Sequence, residues 1–146
     1  MLKSDEFKNF AKEKGADLVG IAPAERFKDA PNEHNPLWLF PEAKSVIVLG
    51  MRMTRGSLRG IEEGVDWAAY NFMSYGGINM LFSIILQREI SRWLENMGYE
   101  AVPFIHTGAK QGAKRRVSPE KPLADIQISP RVAGVLAGLG EIGYSQ

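Results

Sequence analysis

The chain has 146 residues, 45% of them hydrophobic and 24% charged, the makeup of one ordinary globular domain; this excludes disorder, collagen-like repeats and coiled coils and leaves no room for two full enzyme domains. Eighteen Lys and Arg against 17 Asp and Glu give a net charge of +1, so no global field draws the chain to nucleic acid or to an anionic membrane, and any such binding is local. The chain contains no cysteine, which removes disulfides, thiolate zinc sites, iron–sulfur clusters and cysteine nucleophiles together, and the two histidines, His34 and His106, are too few for an all-protein transition-metal site.

Residues 1–7 have no apolar signal core, and the most apolar stretch, 78–86, is well short of the roughly 20 residues that cross a bilayer. A cytoplasmic protein without a membrane partner is the expectation. Ser4 is a good N-cap, Asp5 and Glu6 suit the first turn, and Phe7, Phe10 and Ala11 recur at helical spacing until Gly15. Residues 17–22 are apolar, stop at Pro23 and read as a buried strand. Pro23, Pro31, Pro36 and Pro41 make 23–44 an irregular connection, with one short turn around 24–27 and with Trp38, Leu39 and Phe40 tucked under it. Residues 45–51, Ser-Val-Ile-Val-Leu-Gly-Met, form the strongest strand, apolar on both faces and suited to a central, covered position.

Residues 54–64 are charged and Gly-rich, hence a loop. From Asp66 the pattern turns helical, and Leu81, Ile84, Ile85, Ile90 and Trp93 mark an apolar face closed by Gly98. Residues 99–105 read as a third strand with Pro103 near an end or edge. Residues 106–124 read as a long loop, and Ser129-Pro130 opens a small-residue helix. Helices alternating with three strands predict a layered α/β or α+β domain.

The run Gly138-Leu139-Gly140-Glu141-Ile142-Gly143 matches the G-x-G-x-x-G dinucleotide fingerprint, but a helix precedes it where that fingerprint needs a strand, and no helix follows to receive a pyrophosphate. Its plainer reading is a helix C-terminus capped by glycine, with further glycines where backbone passes close to another strand or to a flat cofactor.

Four blocks together resemble the corrinoid-binding domain of epoxyqueuosine reductases and reductive dehalogenases. They are Gly15-Ala16-Asp17-Leu18-Val19-Gly20-Ile21-Ala22, Phe40-Pro41-Glu42-Ala43-Lys44-Ser45-Val46-Ile47-Val48-Leu49-Gly50, the run from Trp93 to Pro103, and Ala137 to Gly143 preceded by Arg131 and Ala133. The resemblance implies a nitroreductase-like α/β sandwich, here incomplete, forming one domain over 1–146. It implies cobalamin bound with its lower base displaced from cobalt, held by Arg131, Gly138, Leu139, Gly140, Glu141 and Gly143. It implies that electrons come from two four-iron clusters of a ferredoxin-like domain; since this chain has no cysteine, such clusters are expected only on a partner protein or a missing domain.

As proton donor the resemblance points to an acidic residue about a dozen places before Gly138, where Asp125 stands one residue out of register; an Asp at a loop end also serves as a capping or solvated residue. Pro130 stands where the family has an acidic residue before the arginine. Tyr70 and Tyr75 match the family's tyrosine-bearing region, where the resemblance to dehalogenases implies a tyrosine as proton donor without saying which; aromatic residues at such spacing also serve as core. Lys110, Lys114, Arg115 and Arg116 form a local basic cluster able to meet phosphate, either of a cobalamin tail or of transfer RNA, or to remain a solvated loop. An exposed sheet edge would favour a homodimer. The expected function is a cobalamin-binding reductase module inactive alone; the alternatives are a non-catalytic corrinoid or flat-ligand binding protein, or a degenerate structural domain.

Overall fold

The computed structural model describes residues 2–105, 126 and 128–144. Its elements are α1 (Ser4–Glu13), β1 (Leu18–Pro23), α2 (Pro36–Leu39), β2 (Ser45–Gly50), α3 (Arg59–Glu62), α4 (Ala68–Tyr70), α5 (Ser83–Asn96) and α6 (Pro130–Leu136). Contacts divide the chain into two compact units, one holding residues up to Val19 with Leu49–Ile105, the other Gly20–Val48 with the chain beyond residue 105. The division crosses β1 and β2, which pair as a two-stranded sheet. At one end of the ladder the Asp17 N–H donates to the Gly50 carbonyl at 2.9 Å, and at the other the Ala24 N–H donates to the Lys44 carbonyl at 3.0 Å, so the strands are antiparallel. Helices and this small sheet make a mixed α+β fold.

In the first unit, α1 buries Phe7 and Ala11, four residues apart on one face. Phe10 stacks on Trp93 of α5 with ring centroids 4.2 Å apart, and Phe7 meets the same indole at 6.0 Å in a tilted arrangement. On α5 the buried positions are Leu86, Ile90 and Leu94, a four-residue stripe. The sequence-predicted face is corrected here, because Leu81 and Ile85 are exposed. The cause is two π-helical turns, Asn71–Tyr75 and Ile78–Phe82, which precede α5 and shift its register. Gly76 and Gly77 sit between them; a Cβ on Gly76 would stand 2.5 Å from the Asn71 carbonyl oxygen, and one on Gly77 would overlap that of Phe72.

Other expectations also change. Ser4 is the first helical residue and Lys3 the N-cap, in extended conformation and without a side-chain cap bond; the first helical bond runs from the Phe7 N–H to the Lys3 carbonyl. The expected loop 54–64 holds a 3-10 turn, Arg55–Leu58, leading into α3. Ion pairs Arg55–Glu62 and Arg59–Glu63, both at 2.8 Å, bridge successive turns there, and the buried hydroxyls of Ser57 and Ser74 hydrogen-bond each other while Ser57 also donates to the Thr54 carbonyl at 2.7 Å. Residues 99–105 form no strand; Pro103 has no N–H to give a ladder, and Tyr99, Val102 and Ile105 are exposed. Among the described residues β2 pairs with β1 alone, has no buried residue and is not the covered central strand its composition suggests.

The end of α5 was legible. Gly98 has φ +83°, its N–H donates to the Glu95 carbonyl and the Tyr99 N–H to that of Leu94, the paired bonds of a Schellman cap. Replacing Gly98 by Ala places a Cβ in the left-handed region, and a loss of about 1 kcal/mol in urea unfolding is the expected result.

In the second unit, Ala22, Ala24, Phe27, Ile128 and Ala133 are buried. The expected turn at Ala24–Phe27 is present as a 3-10 helix. A short helix, α2, was not anticipated; Asn35 caps it by accepting from the Leu37 N–H at 2.9 Å, with Pro36 at its first position and buried. Trp38 and Phe40 are half-buried as expected, and Leu39 is exposed. The Arg26 guanidinium donates to the Leu136 carbonyl at the end of α6.

Candidate functional site

The C-terminal site begins at Ser129. Its hydroxyl accepts from the Val132 N–H at 3.4 Å, and Pro130 follows at the first helical position, so the sequence starts α6 where it was read to start. Gly138 ends it. With φ +74°, Gly138 donates to the Val135 carbonyl and the Leu139 N–H donates to that of Gly134, a second Schellman cap. Gly138 is therefore glycine for the sake of the turn.

Gly140 and Gly143 have no such reason. Neither has a positive φ, and a Cβ built on either meets no atom within 4 Å. The space before them is an open concavity of about 320 Å³. It is lined by apolar Pro130, Val135, Leu139 and Ile142 and by charged Arg131 and Glu141, and Gly134 adds a further position without a side chain. An apolar lining beside bare backbone accepts the face or edge of a flat ligand, while one cation and one anion in the same lining address polar substituents. Of the residues that the resemblance points to, Arg131, Leu139, Gly140, Glu141 and Gly143 line one concavity, whereas Gly138 turns the chain into it. Pro130, Gly134, Val135 and Ile142 were missed; the first three lie in the small-residue helix α6, and Ile142 lies inside the glycine run itself.

The turn is seated from behind by β1. A Cβ on Gly20 would stand 2.7 Å from the Ala137 Cβ and 2.8 Å from the Leu139 Cγ. The strand passes so close to the end of α6 that a side chain at residue 20 has no room.

Tyr70 and Tyr75 belong to the first unit. Their rings stack with centroids 6.3 Å apart and planes 12° apart, a meeting that the wider π turn allows and an α-helix, where residues five apart diverge by about 140°, does not. Tyr75 is exposed and Tyr70 half-buried. Asp125, His106 and the basic cluster Lys110, Lys114, Arg115 and Arg116 lie outside the described residues. Among the described residues no group of three His, Cys, Asp or Glu could hold a metal ion, and no helix is long and apolar enough to cross a membrane.

No protein-family model, curated protein or solved structure matches the chain.

Proposed function

We propose that the chain is the cobalamin-binding module of an epoxyqueuosine-reductase-like or dehalogenase-like oxidoreductase, built on a nitroreductase-like layered plan and dependent on an iron–sulfur protein or domain for electrons. The observation that carries this reading is the pair Gly140 and Gly143, glycines that the chain's own fold does not require and that border an open concavity. A corrin is broad and flat, so backbone lying along it must lack side chains. At about 320 Å³ the concavity takes one edge of such a macrocycle rather than the whole of it.

The residues present fit that edge. Of the residues that line the concavity, Val135, Leu139 and Ile142 would meet its apolar body, and Arg131 and Glu141 would meet its peripheral amide or phosphate groups. Cobalamin supplies the low-valent metal chemistry when bound, and the chain's part is to hold and orient it and to exclude water from the covered edge. Asp125, Tyr70 and Tyr75 are the proton-donor candidates that the resemblance offers, and transfer RNA and a homodimer are its candidate partners.

The experiment compares Gly140→Leu and Gly143→Leu with the unsubstituted chain in equilibrium titrations with hydroxocobalamin. The Cβ of each new side chain meets no atom within 4 Å, so cobalamin affinity is expected to fall at least tenfold while the melting temperature changes little. Tyr70→Phe and Tyr75→Phe serve as controls that keep the affinity. Equal affinity for all four variants contradicts the reading.

A further inference from the structure

The segment before α5 is apolar around most of its circumference and is not covered. Of residues 65–82 only Ser74 and Gly77 are buried. Trp67 and Phe72 are each 70% exposed, Met80 72%, Tyr75 61%, Met73 58% and Leu81 52%. From 67 to 87 no residue carries a charge. A helix apolar on all sides is ordinarily buried in its working state, and exposed apolar patches of more than a few hundred Å² mark interaction sites.

We infer that this helical segment is a self-association surface, and that its occupant is the same segment of a second copy of the chain. Three observations select that occupant. The composition, aromatic residues and methionine with charge excluded, is that of the core of a protein–protein interface. An uncharged face meets its own copy without like-charge repulsion, as a two-fold pairing of identical patches requires. The area permits a small, reversible interface: large side chains of roughly 150–250 Å² each, exposed to this degree, present on the order of 800 Å² around the whole segment, of which one side serves a two-fold contact. The association was expected from a sheet edge; the helical face carries it instead, and it stands independently of the cobalamin reading.

Sedimentation velocity on the full chain across a wide concentration range is the test. A dimer is expected, with its dissociation constant raised at least a hundredfold by Phe72→Glu or Met80→Glu. These positions point away from the core, and circular dichroism checks that each variant keeps its fold. Because the chain has no cysteine, single substitutions Met73→Cys and Met80→Cys give a second readout: oxidation is expected to form covalent dimers at these sites and not at Lys12→Cys on α1. A chain that stays monomeric at every concentration, or a dimer that both glutamate variants leave intact, overturns the inference.

Discussion

Phe7→Ala is expected to remove about 3–5 kcal/mol of stability, the usual cost of deleting a fully buried ring. Phe7 is only 2% exposed, matched among the described phenylalanines only by Phe27. It shares the Trp93 indole with Phe10, so its removal both opens a cavity and leaves the indole with a stacking partner on one side only. Small domains hold roughly 5–15 kcal/mol in all, so the loss is a large fraction of the total, and a fall in melting temperature on the order of 10 °C should accompany it. Phe10→Ala keeps the buried Phe7 contact and should cost less. Equal costs for the two would mean that α1 is held by the stacked pair and not by the Phe7–Ala11 stripe.

Gly20→Val acts on the other unit and joins the fold to the candidate site. The Ala137 Cβ and the Leu139 Cγ stand 2.7 and 2.8 Å from where the new Cβ must go. The Ala137 Cβ cannot rotate away and its backbone is tied to Ala133, so relief comes from shifting Leu139, whose N–H is bonded to Gly134. The expected cost is about 1–3 kcal/mol from overpacking. Displacing Leu139 also displaces the turn at Gly140, so cobalamin affinity should fall with stability. Leu139→Ala added to Gly20→Val should return part of the lost stability, a coupling that a thermal-melt double-mutant cycle reads directly. Strict additivity would show that the strand and the turn do not press on each other.

The sequence made the punctuated elements legible: α1 and α5 ended by Gly15 and Gly98, α6 opened by Ser129-Pro130, and the apolar runs of β1 and β2. These are local signals, written in caps and periodicity. What escaped depended on geometry that spacing does not encode. The π turns at Asn71–Tyr75 and Ile78–Phe82 carry no composition of their own beyond the glycines between them, yet they bring Tyr70 to Tyr75 and turn Leu81 and Ile85 outward. Residues 99–105 have the composition of a strand, but a strand also needs a neighbour, and the described residues give them none. At the site, the line of glycines was visible while their different reasons were not. Gly138 answers to the turn and Gly20 to the helix end it passes, far along the chain, whereas Gly140 and Gly143 have neither a positive φ nor a close neighbour.

The central claim rests on the open concavity, and the most direct measurement is the visible spectrum of hydroxocobalamin titrated with the full, folded chain. Saturable binding is expected, with the spectral change that follows when the lower base leaves cobalt. A folded chain that leaves the cobalamin spectrum unaltered at every concentration, with no heat of binding by calorimetry, contradicts it.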